Sequence, residues 1–165
     1  MARSVVRPAF ESDRLALRTA IVELQEHERR LSDSRLPGEA MADAYLAWIL
    51  DRAGTARGAV FVAEVDGAFA GFAAGWVEEN ASLAETADSS RCGFVSDLCV
   101  LPAFRGQGVA QRLLEALEAH LRRAGVTRVR LYVLAANEEA RVTYERAAYA
   151  PYEVVYEKAV RPAGA

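Results

Sequence analysis

The sequence predicts an α/β fold in which one mixed, mostly antiparallel β-sheet carries helices on both faces. Residues 59–65 and 68–77 read as two strands joined by the turn signal Asp66-Gly67, which predicts an antiparallel hairpin. Further along, a strand over 92–101, an amphipathic helix over 107–124 and a strand over 128–134 form a crossover unit. Such crossovers are right-handed, so these two strands should run parallel, and the sheet should be mixed.

Two helices are predicted between the opening strand, residues 3–8, and the hairpin. Ser12 or Asp13 can cap the first helix, and the segment Leu36-Pro37-Gly38 separates it from the second. Apolar residues recur at helical spacing in both helices: Leu17, Ile21, Leu24 and Leu31 in the first, and Met41, Tyr45, Ile49 and Ala53 in the second.

The remaining chain is expected to contain an acidic surface loop over 78–91, a short helix over 137–148 and a last strand over 152–160. The 107–124 helix should end at Gly125. With no repeat, low-complexity tract or linker, residues 1–165 are expected to form a single domain.

Composition narrows the class of protein. The net charge of −3 does not favour a nucleic-acid partner, because nucleic-acid-binding proteins usually present a basic surface. There is no apolar run of the roughly 18 residues that a membrane span requires, and the N-terminus does not resemble a secretory signal. Cys92 and Cys99 are expected to be buried, reduced thiols on opposite faces of one strand. A cytoplasmic protein without a bound metal is therefore expected.

The segment that joins the 92–101 strand to the following helix predicts an anion-binding site. Gly106 and Gly108 allow the backbone to turn its N–H groups towards one point, and the helix start adds unpaired N–H donors and its positive dipole end. Arg105 adds a positive charge. A pyrophosphate suits such a site, but the pattern is neither the dinucleotide-binding fingerprint, which needs a third glycine at Gln111, nor a Walker A loop.

Two motifs resemble the GNAT superfamily of N-acetyltransferases. Residues 98–110, which read Leu-Cys-Val-Leu-Pro-Ala-Phe-Arg-Gly-Gln-Gly-Val-Ala, resemble the superfamily's motif A, in which Gln or Arg is followed three residues later by Gly and five residues later by Gly or Ala. Asn137, Ala140 and Tyr144 match a second pattern, N-x-x-A-x-x-x-Y, on the helix after the next strand. The resemblance covers about residues 95–150.

The resemblance implies acetyl-CoA as cosubstrate, bound mainly by backbone groups between two parallel strands that splay apart. The strand backbone at Leu98, Cys99 and Val100 would bind the pantetheine arm, and Asn137 would contact the cosubstrate as well as capping its helix. The loop and helix start would hold the pyrophosphate, and this set comprises Arg105, Gly106, Gln107, Gly108, Val109, Ala110 and Gln111.

The chemistry implied is direct transfer of an acetyl group to a primary amine. Tyr144 is the candidate general acid towards the departing thiolate, and a strand N–H near residues 98–100 is the candidate oxyanion donor. Many members carry a glutamate at the position of Phe94, so the general base does not carry over. Asp97 is the nearest carboxylate; strict alternation places it on the side of Val95 and Cys99, although a bulge would change that. Water-relayed deprotonation through Ser96 or Glu79 remains an alternative.

The acceptor is open at this point: a small polyamine-like amine, an amino sugar or a protein amine would each fit. The acidic loop residues Glu78, Glu79, Glu85 and Asp88 could attract a cationic acceptor, and Trp76 could line its pocket. The competing hypothesis is a non-catalytic, CoA-binding regulatory module, which the missing glutamate at Phe94 favours. Homodimers are common in the superfamily, and the sequence does not decide between a monomer and a dimer.

Overall fold

The computed structural model describes residues 4–80 and 82–160, and in them one five-stranded sheet has the strand order β1-β2-β3-β4-β5. The strands are β1 (Ser4–Pro8), β2 (Ala59–Val65), β3 (Ala68–Glu79), β4 (Arg91–Val100) and β5 (Val129–Leu131). Each neighbouring pair from β1 to β4 is antiparallel, and β5 is parallel to β4. The predicted mixed, mostly antiparallel sheet is confirmed.

Helices cover both faces of this sheet. They are α1 (Arg14–Arg29), α2 (Gly38–Thr55), α3 (Ala87–Ser90), α4 (Val109–Arg123) and α5 (Glu138–Arg146). One face packs against α1 and α2 through buried side chains such as Leu17 and Ile49, and the other packs against α4 through Leu113 and Leu117. As an amphipathic helix should, α4 buries one apolar stripe, which consists of Val109, Leu113, Leu114, Leu117 and Leu121.

The structure shifts several predicted boundaries. The strand predicted over 3–8 is β1, and residue 3 lies outside the described residues. The predicted 78–91 loop is shorter, because β3 continues to Glu79 and α3 occupies four of its residues. The helix predicted from residue 107 begins at Val109, since Gly108 is left-handed. The strand predicted over 128–134 bonds to β4 only from the Arg128 carbonyl, which accepts from the Gly93 N–H, as far as Leu131.

The predicted last strand over 152–160 is wrong for this structure. Residues 151–160 have no regular secondary structure and are exposed, including Val154, Val155 and Tyr156. The ring of Tyr152 lies 4.5 Å from the guanidinium carbon of Arg130. Alternating apolar residues favour a strand, but a strand forms only where another strand offers hydrogen bonds, and no partner strand lies beside this segment within the described residues.

A β-bulge in β4 determines which side chains face α1 and α2. Ala74 pairs with Asp97 and the next residue, Gly75, pairs with Val95, so Ser96 is an extra residue. Cross-strand partners point to the same face. Asp97 therefore shares a face with Phe94 and with Cys99, whereas Val95 and Leu98 pack on the α4 side. The prediction from strict alternation, which placed Asp97 with Val95 and opposite Phe94, is therefore wrong. The two cysteines were predicted on opposite faces, but Cys92 shares the face of Cys99. Both thiols are free and buried.

No helix within residues 4–80 and 82–160 is both long and apolar enough to cross a membrane.

Candidate active site

A cleft of about 850 Å³ opens beside the C-terminal half of β4. Hydrogen bonds between β4 and β5 end at the pair Val95 and Leu131, and beyond it the two parallel strands separate. The other edge of β4 stays paired with β3 as far as Val100. The backbone of residues 96–100 thus presents one free edge to the cleft, and Leu98, Cys99 and Val100 line it as predicted.

One end of the cleft, here called the loop end, is formed by the glycine turn and the start of α4. Gly106 and Gly108 have φ values of 74° and 72°, in the left-handed region that favours glycine. Val109, Ala110 and Gln111 form the first turn of α4, so their N–H groups have no acceptor within the helix. These residues line the cleft, and the binding of an anion by their amides stays a prediction.

Two side chains of the predicted set have further contacts. The Nε of Arg105 donates to the Val100 carbonyl at 3.1 Å, and its Nη1 lies 3.6 Å from Glu139 on α5, so the side chain bridges the two walls of the cleft. The side-chain amide of Gln107 donates to the Ala103 carbonyl at 3.3 Å, and Gln107 does not line the cleft. Only its backbone remains a candidate ligand.

Asn137 caps α5 at the edge of the cleft. Its Oδ1 accepts a hydrogen bond from the Ala140 N–H at 3.2 Å, and the side chain is buried. The helix-capping role is confirmed, while the contact with a cosubstrate stays a prediction.

Tyr144 lies on α5 and lines the same cleft. Burial, together with the negative charge of Asp97, raises the pKa of its phenol to about 12, so the hydroxyl remains protonated near neutral pH. The ring packs edge to face on Tyr149, with the centroids 6.1 Å apart. Its hydroxyl has no hydrogen-bond partner in residues 4–80 and 82–160, and so the proton remains available to a ligand.

Asp97 is a buried carboxyl group, 6% exposed, that lines the cleft. It accepts hydrogen bonds from the Ser96 hydroxyl at 2.6 Å and from the Tyr45 hydroxyl at 3.2 Å. Desolvation raises the pKa of Asp97 from 3.8 to about 6, even though both hydrogen bonds lower it. At neutral pH the group is therefore a carboxylate with more basicity than an ordinary aspartate.

Tyr45 is a site residue that the sequence did not reveal. Its position in α2 follows the apolar pattern of that helix, and only the packing of α2 on the bulged strand brings its hydroxyl to Asp97. Burial, and the nearby charge of Asp97, hold the pKa of Tyr45 well above its usual range, so the phenol is a hydrogen-bond donor.

The opposite end of the cleft, here called the helix end, lies between α1, α2 and the segment joining them. Leu24, Leu36 and Met41 line it together with Tyr45 and Trp48. Its charged residues include Glu28, whose Oε2 is 2.7 Å from the Nε of Arg35.

Neither the acidic loop nor Trp76 lines this cleft. Arg57 and Arg91 bind Glu79, Arg128 binds Asp88, and Arg130 lies 3.6 Å from Glu85. Glu78 accepts a hydrogen bond from the Trp76 indole at 3.4 Å. Because the positive arginines offset the negative charges of the acids paired with them, the loop attracts a cation only weakly. Trp76 is a core residue that is 1% exposed.

Cys99 lines the cleft as a free, buried thiol. Burial raises the pKa of the Cys99 thiol to about 12, and this thiol donates to the Ala20 carbonyl at 3.5 Å. Within the described residues, no group of three His, Cys, Asp or Glu side chains is placed to hold a metal ion.

A mixed sheet whose parallel strands separate over a glycine turn and a helix start defines an acetyltransferase fold. The chain belongs to the acetyltransferase (GNAT) family, whose model matches residues 19–149. It is similar to an uncharacterized N-acetyltransferase of Archaeoglobus fulgidus, with 33% identity over 99 residues that cover 59% of this chain and 63% of the relative. The uncharacterized N-acetyltransferase YycN of Bacillus subtilis is 34% identical over 65 residues, which cover 39% and 42% of the two chains. The chain thus spans about half of the length of these relatives.

Solved structures support the fold over nearly the whole chain. The aminoglycoside N-acetyltransferase AAC(6')-Iy in complex with CoA has a TM-score of 0.72 and 20% identity, covering 98% of this chain and 97% of that one. A GCN5-related N-acetyltransferase from Ralstonia eutropha JMP134 has a TM-score of 0.74 and 21% identity, covering 95% and 99%. At such identities the likeness concerns the fold.

Proposed function

We propose that the protein transfers an acetyl group directly from acetyl-CoA to a primary amine. The observation that carries the proposal is that the free edge of β4, the Gly106–Gly108 turn, a basic carboxylate and an unpartnered phenol all line one cleft. Binding groups and proton-transfer groups therefore meet in one place, as a transfer between two bound substrates requires.

The residues present fit the cosubstrate. A Cβ built on Gly106 meets no atom within 4 Å, so the turn leaves space above its backbone, and one on Gly108 would lie 3.4 Å from Arg112. Backbone groups of residues 98–100 would hold the pantetheine arm, and the amides from Gly106 to Gln111 would hold the pyrophosphate. Asn137 and Arg105 would complete the loop end. Acetyl-CoA supplies the activated acetyl carbonyl.

In the proposed mechanism, Asp97 and Tyr144 carry out the proton transfers. Asp97 accepts a proton from the bound ammonium, which frees the nitrogen lone pair to form the new C–N bond. A backbone N–H of residues 98–100 stabilises the negative charge on the carbonyl oxygen. As the C–S bond breaks, the Tyr144 hydroxyl gives its proton to the thiolate, and the second proton on the attacking nitrogen leaves to solvent as the amide forms. The proton held by Asp97 then returns through solvent to the Tyr144 phenolate.

A regulatory module that binds CoA without turnover is the second candidate, and the phenylalanine at position 94 is the observation that favours it. Because Asp97 supplies a carboxylate on the same face of β4, the enzyme remains the better-supported function.

Release of free CoA from acetyl-CoA, measured with a thiol reagent across a panel of primary amines, tests the proposal. Tyr144→Phe is expected to lower kcat by about 100-fold or more, because general acid catalysis contributes on that order. It should leave CoA affinity and stability nearly unchanged, since the lost hydroxyl has no protein partner. Tyr156→Phe, at an exposed ring outside the cleft, is the matched control. Binding of acetyl-CoA without amine-dependent release of CoA would instead support the regulatory module.

A further inference from the structure

Four aromatic rings line the cleft as two contacting pairs, and a buried indole behind them joins the pairs. Tyr45 stacks on Trp48 with centroids 5.4 Å apart, and Phe94 contacts Tyr132 at the same centroid distance. The buried indole of Trp76 joins the two pairs, lying 5.2 Å from Trp48 and 5.9 Å from Phe94. We call the four rings that line the cleft, Tyr45, Trp48, Phe94 and Tyr132, the aromatic wall.

Two rings of the aromatic wall are exposed, although a buried ring packs behind the wall. Trp48 is 44% exposed and Tyr132 is 75% exposed, while Trp76 behind them is 1% exposed. Large exposed aromatic rings grouped on a concave surface mark a binding site for an apolar body more often than a solvated surface.

Several polar groups that line the cleft, at the helix end and on β4, are already paired within the protein. The Gln25 amide donates to the Leu36 carbonyl at 2.9 Å, and the Ser34 hydroxyl lies 2.8 Å from that of Ser32. Ser96 bonds to Asp97. A polyhydroxylated acceptor would have to displace these bonds, at a cost in affinity for every group left unpaired.

The charges at the helix end do not favour an acceptor with several ammonium groups. Asp97 offers one site for one ammonium, and the second carboxylate, Glu28, forms an ion pair with Arg35. His27 carries no negative charge. A distal ammonium ion would therefore meet the guanidinium of Arg35 without a free carboxylate to balance it.

We propose that the acceptor is an arylalkylamine: a primary amine on a short chain attached to a flat aromatic body. This proposal rests on the proposed function and names its substrate class. The aromatic body packs on the aromatic wall, and the short chain brings the ammonium to Asp97. Because ring-on-ring contacts are favourable beyond the area they bury, an aromatic body gains a few-fold to about tenfold over an aliphatic one of equal size.

The experiment compares kcat/KM for 2-phenylethylamine, hexylamine, spermidine and glucosamine, with CoA release as the readout. We expect 2-phenylethylamine to exceed spermidine and glucosamine by at least about tenfold and hexylamine by at least about threefold. Trp48→Ala and Tyr132→Ala should each lower kcat/KM for 2-phenylethylamine by about three- to tenfold through KM, with smaller effects on hexylamine. Tyr156→Ala, at an exposed aromatic ring outside the cleft, should change neither.

Thermal unfolding of every variant distinguishes a loss of binding from a loss of folding. Of the two wall variants, Tyr132→Ala removes the more exposed ring and therefore the smaller amount of packing. Faster turnover of spermidine, glucosamine or hexylamine than of 2-phenylethylamine would overturn the acceptor class while leaving the transferase in place. Equal losses for aromatic and aliphatic amines in the wall variants would overturn the role of the wall. If no amine releases CoA from bound acetyl-CoA, the proposed function itself fails.

Discussion

Replacing Asp97 with asparagine should make the protein more stable at pH 8 while abolishing most of its activity. Desolvation raises the pKa of Asp97 from 3.8 to about 6, so the folded state holds this carboxylate at a cost. Between these two pH values the folded protein binds more protons than the unfolded chain, and stability falls as the pH rises. Above about pH 7 the cost reaches a plateau.

The size of the effect follows from the two pKa values. A shift of about two pH units corresponds to about 3 kcal/mol at pH 8, and about half of it is already present at pH 5. The free energy of unfolding of Asp97→Asn, relative to the unsubstituted protein, should therefore increase by about 1.5 kcal/mol between pH 5 and pH 8. Loss of a hydrogen bond to Ser96 or Tyr45 changes the free energy of unfolding equally at pH 5 and at pH 8. It therefore cancels when the two values are subtracted.

Urea denaturation at the two pH values measures the difference. Asp51→Asn is the matched control, because Asp51 is exposed on α2; it should change stability by less than about 0.5 kcal/mol at either pH. If the stability difference for Asp97→Asn does not vary with pH, or varies in the opposite direction, the carboxylate is not held at a desolvation cost and the argument for its raised basicity fails.

Three further predictions concern Tyr45, the loop end and the end of α5. Tyr45→Phe removes one hydrogen-bond donor to the Asp97 carboxylate, which should raise the pKa of Asp97. The apparent pKa on the acidic side of the kcat–pH profile should therefore rise by about one unit. If it does not move, Asp97 is not the general base. Gly108→Glu should abolish CoA binding in calorimetry, while Gly67→Glu, which adds the same charge at a similar φ of 82° in the β2–β3 turn, should bind CoA normally; equal losses in both variants would contradict the role of the turn. Ala148 has a φ of 65°, so Ala148→Gly should stabilise the protein by about 1 kcal/mol in urea denaturation, and the neighbouring Ala147→Gly should not.

The loop end could be predicted from sequence because its geometry is local. Gly106 and Gly108 permit the left-handed backbone that this turn takes before α4, and the amides of the first helical turn lack partners within any helix. The end of α5 is similar: the Tyr149 N–H donates to the Tyr144 carbonyl, and the Ala148 N–H to that of Glu145, in a Schellman motif. The left-handed φ of Ala148 belongs to this motif, in which the residue after the C-cap takes that conformation.

The proton-transfer groups could not be predicted to the same degree, because they depend on contacts between distant parts of the chain. No residue type marks Ser96 as the extra residue of a bulge, yet that residue decides which face Asp97 takes. The hydrogen bond from Tyr45 spans 52 positions of sequence. The acidic loop misled for a related reason: Arg57 and Arg128, which form ion pairs with it, come from other parts of the chain, and Arg91 lies at its own end.

The phenylalanine at position 94 and the position of Asp97 are best understood as one feature. The bulge places both side chains on the face of β4 that looks towards α2, three residues apart instead of on opposite faces. A carboxylate is therefore retained on this face even though position 94 is aromatic. Phe94 in turn contacts Tyr132 and the buried Trp76, and through Trp76 it connects to the pair Tyr45 and Trp48. If Asp97 is the base and the wall holds the acceptor, a glutamate at position 94 would interrupt the wall and place a second carboxylate near the first. The repulsion between the two would raise the pKa of at least one of them.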